Sequence, residues 1–117
     1  MLVVEPHKAP YEMMIPDGLE PLQQAVDGYI ECTYPFSDNA FVISNEEAKL
    51  RGMEGNRRIN GQIYAGTFLI AADDGCGDIT DLTDEQIAYY TKRFINDEQY
   101  TQEEVEADMG MMFICLN

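Results

Sequence analysis

The sequence predicts an α+β fold in which one domain combines a mainly antiparallel sheet with two to three helices. Its 117 residues suit a single domain spanning residues 1–117. Short runs of β-branched and aromatic residues, separated by turn residues, favour hairpins. Strand-like and helix-like segments do not alternate regularly, which argues against a parallel α/β sheet.

The first 28 residues predict a hairpin followed by a helix. Residues 1–5 and 11–15 are strand-like segments on either side of a proline-bearing turn, so we expect two paired strands. Asp17 is the predicted N-cap of the helix, because its carboxylate can accept hydrogen bonds from free backbone amides. Pro21 must then lie in the first helical turn, and Gly28 is expected to end the helix.

The middle of the chain predicts further strands separated by turns. Gly66 is expected to mark a bulge, or a close approach of another backbone, within the longest of these strands. Residues 51–60 are polar and contain glycine, so they are predicted to form a loop. The predicted strands span residues 29–34, 40–44, 48–50 and 63–72.

Two capping-box patterns predict helices in the last third of the chain. Residues 83–86 read Thr-Asp-Glu-Gln, in which the threonine hydroxyl and the glutamine side chain can each satisfy a free amide at a helix start. Thr101 and Glu104 repeat this spacing before a shorter helix that is expected to stop near Gly110. Residues 111–116 are apolar and predict a buried closing strand or a docked tail.

The net charge of −15 is the most informative bulk property. It argues against direct binding to nucleic acid or anionic lipid, which require basic surface, and it favours a basic protein partner. Residues 73–108 contain twelve acidic residues against two basic ones. The candidate partner-binding residues are Asp73, Asp74, Asp78, Asp81, Asp84, Glu85, Asp97, Glu98, Glu103 and Glu104.

The cysteine pattern and the apolar segments indicate a cytoplasmic protein. The three cysteines include no CxxC pair, which is typical of reduced thiols rather than of disulfides or a zinc site. Cys32 and Cys115 are expected in the core. The apolar stretch at residues 68–72 is far too short to cross a membrane, and no signal peptide is predicted.

No catalytic, metal or cofactor site is predicted. His7 is the single histidine and is expected to be exposed in a turn, so a nucleophile–histidine pair is improbable. The acidic loop at residues 73–81 lacks the ligand spacing of a calcium-binding EF-hand. These observations predict a binding protein rather than an enzyme.

Arg57 and Arg58 form a second candidate site, because basic residues are rare in this chain. Arginine side chains bind phosphate and carboxylate groups well, so the pair could hold a small anion such as a nucleotide. The competing interpretation is that they form ion pairs with neighbouring acidic residues. Those neighbours are Glu46, Glu47 and Glu54.

Several blocks of the chain match, in order, those of a known family. They are VVEPHKAPYEMMIPDGLEPLQQAVDGYIECTYPF, NEEAKLRG, AGTFLIA and LTDEQIAYYTKRF. They resemble domain of unknown function 3846, over residues 2–94, and leave residues 95–117 as a C-terminal extension. Ala48 stands where the family is expected to have glycine. The resemblance implies a small accessory protein of a phage or other mobile element, and it implies no catalytic residues.

The acidic segment suggests a specific function. A dense array of carboxylates can imitate the phosphates of DNA and compete for the basic groove of a nuclease. Our first hypothesis is therefore an inhibitor of a host defence nuclease that acts by DNA mimicry. The alternative is a small-molecule binding protein that uses the arginine-bearing loop. Neither hypothesis specifies an oligomeric state.

Overall fold

The structure, a computed structural model, describes residues 1–108. Within this range every strand pairing is antiparallel, which confirms the predicted α+β class. The strands are β1 (Leu2–Val4), β2 (Tyr11–Glu12), β3 (Ile30–Thr33), β4 (Ala40–Asn45), β5 (Gly55–Ile59), β6 (Gln62–Ala65), β7 (Phe68–Asp73) and β8 (Ile79–Thr80). The helices are α1 (Leu19–Val26), α2 (Asp84–Arg93) and α3 (residues 102–108).

A six-stranded sheet forms the centre of the molecule. Its order is β2-β1-β7-β4-β3, and β8 pairs with the end of β7. All residues of β4 are buried, as are all residues of β7 except Asp73. These two central strands are apolar almost throughout, as expected for strands that have neighbours on both sides and cover on both faces.

The two faces of the sheet carry separate parts of the core. Helix α1 covers one face, against which Leu22 and Val26 pack. Helix α2 and the β5–β6 hairpin cover the other face, with Tyr90, Phe94 and Ile59 buried against it. Alternate residues of each central strand point to opposite faces, so a single strand contributes to both halves of the core.

The predicted N-terminal hairpin is confirmed, and the prediction for α1 is confirmed in part. Helix α1 starts at Leu19 and contains Pro21 in its first turn, as expected. Asp17 as its cap is wrong: the N-cap is Gly18, and no side-chain cap bond is present. At the other end Asp27 adopts a left-handed conformation, and the Gly28 amide donates to Gln23 O at 2.9 Å. This backbone bond satisfies a carbonyl at the end of the helix.

Three predictions for the middle of the chain are wrong. Residues 48–50 form a turn rather than a strand, and the predicted loop at residues 51–60 contains β5. The predicted strand at residues 63–72 is two strands, β6 and β7, interrupted at Gly66. Gly66 has a φ of 71°, and a Cβ there would lie 2.8 Å from Met53 Sδ. The predicted close approach of another backbone is therefore a close approach of the Met53 side chain, and it coincides with a break between strands rather than with a bulge.

Both capping boxes are present. Gln86 N donates to Thr83 Oγ1 at 3.1 Å, and Thr83 N donates to Gln86 Oε1 at 3.0 Å. The same reciprocal pair joins Thr101 and Glu104 at the start of α3. Val105 of α3 is completely buried, so the part of the C-terminal extension that the structure describes packs on the rest of the chain.

The cysteine predictions have different outcomes. Cys32 lies on the outer strand β3 and is exposed, so its predicted place in the core is wrong. Cys115, the predicted stop at Gly110 and the apolar segment at residues 111–116 lie outside the described residues.

Candidate functional site

The ten acidic candidate residues divide into two groups. Helix α2 lies between them, and its ten residues span roughly 15 Å. Within α2, acidic residues occur only in the first turn, so they form no ladder along the helix. The first group lies at the start of α2 and comprises Asp73, Asp74, Asp78, Asp81, Asp84 and Glu85. The second group follows the end of α2 and comprises Asp97, Glu98, Glu103 and Glu104.

The first group lies on elements that are held together by hydrogen bonds. Asp73 N donates to Asn39 O at 2.9 Å, and Asn39 Nδ2 donates to Asp73 O at 2.9 Å. Gln86 Nε2, from the first turn of α2, donates to Asn39 Oδ1 at 2.8 Å. The end of β7, the loop before β4 and the start of α2 therefore form one connected scaffold.

The turn between β7 and β8 orients two of these carboxylates. Asp73 Oδ1 accepts a hydrogen bond from Gly75 N at 2.7 Å. Asp74 Oδ1 accepts from Cys76 N at 2.7 Å and from Asp78 N at 3.1 Å. In such turns an aspartate side chain replaces a backbone acceptor, which restricts its rotamer. The carboxylates are therefore part of the turn structure while remaining at the surface.

Asp38 adds a seventh carboxylate, which the sequence analysis missed. Its Oδ1 accepts from Ala40 N at 2.9 Å and from the Tyr90 hydroxyl at 2.8 Å, and its Oδ2 accepts from Gln86 Nε2 at 3.1 Å. Burial tends to raise the pKa of Asp38, but these hydrogen bonds outweigh it and hold the pKa below the usual value. We call Asp38 and the first group together the acidic end.

Asp38 could not be found from local sequence. It lies next to Asn39 just before a strand, a position that indicates a turn and nothing more. Its bond to Tyr90 joins residues 52 positions apart. The pairing of β4 with β7 and the packing of α2 on the sheet together bring Asp38 to the acidic end.

The acidic end takes part in no ion pair among the described residues. None of its seven carboxylates forms an ion pair with a Lys, Arg or His within residues 1–108. The sequence from residue 73 to residue 91 contains six acidic residues and neither lysine nor arginine. Such a concentration of one charge produces a negative potential that attracts cationic surfaces.

The second acidic group is used largely for local structure. Glu98 Oε1 accepts from the amide of Arg58 at 3.0 Å and also bonds the Tyr100 hydroxyl. Glu104 accepts from the amide of Thr101 at 3.0 Å as part of the capping box. Asp97 of this group also pairs with His7, whereas no member of the first group forms an ion pair within residues 1–108, so the two groups are not equivalent.

His7 connects three separate parts of the chain. It is exposed in the turn after β1, as predicted, with Nε2 lying 2.6 Å from Glu54 Oε1 and Nδ1 lying 3.1 Å from Asp97 Oδ2. The bond to Glu54, followed by the bond to Asp97, raises the pKa of His7. The ring therefore links the first hairpin to the segment before β5 and to the segment after α2, and it can donate to both carboxylates when it is protonated.

Arg57 is a structural residue in this fold. It is completely buried in β5. Its Nε and Nη2 donate to Phe94 O at 3.3 and 2.9 Å, and Nη2 also donates to Lys8 O at 2.9 Å. Nη1 donates to Asn56 O at 3.3 Å and Asn56 Oδ1 at 2.8 Å. All five guanidinium N–H groups thus have acceptors, and the Phe94 carbonyl at the end of α2 receives two of them.

Arg58 has a different environment from Arg57. Its side chain is on the exposed face of β5, where Nη1 donates to Gly61 O at 2.9 Å and the guanidinium lies 5.5 Å from the centre of the Tyr100 ring. Neither arginine forms an ion pair within residues 1–108, so the expected pairing with neighbouring glutamates is wrong. The two guanidinium groups point to opposite faces of one strand and do not converge on a common ligand.

In the part of the chain that the structure describes, no group of three or more His, Cys, Asp or Glu side chains is arranged to hold a metal ion. Over the same residues, no helix has the length and apolar character required to cross a bilayer.

These features define a small acidic α+β domain in which an antiparallel sheet is covered by helices on both faces. A family model, Domain of unknown function (DUF3846), matches residues 1–95. The chain therefore belongs to this family, as its sequence blocks indicated. No curated protein and no solved structure matches the chain.

Proposed function

We infer that this protein is a non-catalytic binding module whose acidic end contacts a basic surface on a partner protein. The observation that supports it is the set of seven carboxylates without an ion-pair partner in the described residues, placed on elements that are bonded to one another. Hydrogen bonds restrict the carboxylates of Asp38, Asp73 and Asp74 before binding, so ordering these three in a complex would cost little conformational entropy. Opposite charge would also accelerate the encounter.

The specific form of this proposal is inhibition of a host defence nuclease by DNA mimicry. A nuclease groove that binds phosphates would also attract carboxylates held close together. The proposal includes a cytoplasmic setting on a phage or other mobile element, which the free thiols of Cys32 and Cys76 and the family resemblance support. Because the acidic end consists of turns and one helix start, its carboxylates would occupy a local cluster of phosphate positions rather than a long helical ladder.

A matched pair of triple variants tests the proposal. One carries Asp78→Asn, Asp81→Asn and Glu85→Gln at the acidic end. The control carries Glu12→Gln, Glu20→Gln and Glu103→Gln, which change the net charge equally at exposed positions elsewhere. Both are compared with the wild type for inhibition of DNA cleavage by a panel of purified restriction and RNA-guided nucleases.

We expect the wild type to inhibit at least one nuclease competitively with DNA, and less effectively as salt increases. Loss of three contacting carboxylates should weaken inhibition by about 10-fold or more, while the control should change it by less than about 3-fold. The proposal fails if no nuclease is bound or inhibited across the salt series. It also fails if the two triple variants weaken inhibition equally, because net charge alone would then explain the effect.

The arginine-loop alternative has no observation in its favour. Arg57 is buried with all its donors engaged, and Arg58 points to the opposite face of β5. A thermal-shift screen with nucleotides remains its direct test, because a ligand that binds the native state raises the melting temperature. A nucleotide that raised the melting temperature of the wild type but not of the Arg58→Met variant would support the small-molecule alternative.

A further inference from the structure

We propose that the outer edge of β3 and the groove beside it bind an extended, lysine- or arginine-bearing segment of a partner protein as an additional strand. This groove, here called the β3 groove, has a volume of about 420 Å³ and lies between the β3–β4 end of the sheet and strand β6. The proposal is independent of the acidic end. Ser44 in the groove is four residues along β4 from Ala40, roughly 13 Å from that end.

The hydrogen-bond pattern leaves one edge of β3 open. β3 pairs with β4 alone among the described strands. The amide of Glu46 donates to Tyr29 O at 2.9 Å, so this opposed pair is hydrogen-bonded. In an antiparallel ladder such pairs alternate, which makes Glu31 and Ser44 the next one. The backbone groups of the intervening residues Ile30 and Cys32 therefore point away from β4, where an added strand could pair with them.

The Ser44 hydroxyl places a hydrogen-bonding group inside the groove. Ser44 is only 6% exposed and lines the groove. Within residues 1–108 its hydroxyl has no hydrogen-bond partner, whereas the neighbouring hydroxyls of Thr33 and Tyr64 bond each other at 2.8 Å. No buried side-chain nitrogen or oxygen among the described residues lacks a hydrogen-bond partner, so the Ser44 hydroxyl is reached by solvent from the groove. It is therefore free to form a hydrogen bond with a ligand that enters the groove.

The charges around the groove specify a cationic group. Glu31 lies directly opposite Ser44 on the same face, with Cβ atoms roughly 5 Å apart. Neither Glu31 nor Glu46 forms an ion pair among the described residues, while Lys49 and Asp108 at the other side of the groove neutralise each other. The groove thus presents two uncompensated carboxylates. A lysine or arginine side chain could meet Glu31 and donate to Ser44 together.

Strand addition accounts for the remaining features of the site. An extended peptide directs alternate side chains to one face, so a basic residue entering the groove would be flanked by residues that point away from it. The exposed ring of Tyr29, at 67%, precedes β3 and could cover the peptide, whereas the Tyr34 ring after β3 stacks on Phe41 of the opposite sheet face. The exposed Leu50 on the groove wall adds apolar contact for the stem of a lysine or arginine.

The test uses the full chain and a fluorescein-labelled peptide of alternating lysine and valine. We expect saturable binding, measured by fluorescence anisotropy, and about 10-fold weaker binding to Glu31→Gln, since a bond to a charged group is lost. Ser44→Ala should also weaken binding. The control, Glu12→Gln on the opposite edge strand, makes the same charge change and should alter the dissociation constant by less than about 2-fold.

A second probe separates strand addition from general charge attraction. The same peptide with alternate backbone amides N-methylated keeps its charge but cannot pair with β3, so it should bind at least about 10-fold more weakly. The proposal is overturned if the basic peptide does not bind, if methylation has no effect, or if Glu31→Gln and Glu12→Gln weaken binding equally.

Other occupants would give different results. A chain that binds peptide only after removal of residues 109–117 would assign the groove to its own terminal segment. A Glu31→Gln change that altered sedimentation of the protein alone would assign it to a second copy. Either result overturns the proposal of a partner peptide but leaves the acidic-end proposal intact, because none of these changes touches the acidic end.

Discussion

Replacement of Arg57 by methionine should destabilise the protein more than replacement of any exposed arginine. The guanidinium of Arg57 joins three parts of the fold. It extends from β5 and donates to Phe94 O at the end of α2 and to Lys8 O in the turn after β1. Methionine keeps most of the apolar stem but removes every donor. The variant therefore leaves the last carbonyl of α2 and the Lys8 carbonyl without this partner.

Two opposing terms set the magnitude. Burial lowers the pKa of Arg57, against the attraction of Glu98 and Asp97, which shows that the charge is held at some cost. Removal of the charge recovers that cost. Stranding the Phe94 carbonyl, whose bonds from Arg57 are buried, costs about 1–3 kcal/mol, however, and the part-buried Lys8 carbonyl adds to this cost, so we predict a net loss of about 1–3 kcal/mol.

The assay is urea unfolding followed by far-UV circular dichroism, with Arg58→Met as the matched control. Arg58→Met is the same substitution at the next residue, whose side chain lies on the exposed face, so it should lower the free energy of unfolding by about 1 kcal/mol or less. A result in which both variants lose equal stability would refute the argument. It would mean that the buried guanidinium of Arg57 contributes no more to the free energy of unfolding than a surface arginine does.

Three further predictions concern the supports of the fold. His7→Gln should reduce the pH dependence of the free energy of unfolding. Because the pKa of His7 is raised in the folded protein, the stabilisation by His7 is complete below about pH 6.5 and is lost as the pH rises through the folded pKa. The difference in unfolding free energy between wild type and variant, measured across pH, should therefore vanish at high pH. Thr83→Ala should cost about 1 kcal/mol in urea unfolding, with Thr83→Ser close to wild type, because the box that starts α2 is lost. Gly55→Ala should lower the free energy of unfolding by about 1–3 kcal/mol, because a Cβ would lie 2.8 Å from Tyr100 Cβ and 3.0 Å from Val105 Cγ2. The same clash should speed proteolysis of residues 95–108, and an unchanged rate of cleavage would contradict this contact.

The errors of the sequence analysis share a physical cause. β5 was predicted to be a loop because Asn56 and Arg57 are polar, yet both are completely buried. Asn56 Nδ2 donates to Val4 O at 2.8 Å and to Gly66 O at 2.9 Å, so its amide is satisfied by strands distant in sequence. The pattern of polar and apolar residues along the chain shows that a residue is polar. It does not show the hydrogen-bond partners from other elements that allow such a residue to be buried.

The candidate site was predictable in its chemistry and not in its geometry. The excess of carboxylates after residue 72 can be counted along the chain. Whether those carboxylates meet on one surface depends on the hydrogen bonds that hold the start of α2 against Asn39, and on Asp38, which arrives from another loop. The open edge of β3 was likewise hidden, since an edge strand and a central strand of four residues have similar local sequences.

The sequence alone determined the features that depend on neighbouring residues: the antiparallel α+β class, both capping boxes, the first hairpin, the place of Pro21 in the first turn of α1 and the acidic balance of the chain. The tertiary structure decided which residues sit together across long separations: the burial of Arg57, the split of the 63–72 segment at Gly66, the histidine bridge and the division of the acids into two groups. The reason is that caps and turns are satisfied within a few residues. A buried polar group, by contrast, is stable only if acceptors from other elements reach it.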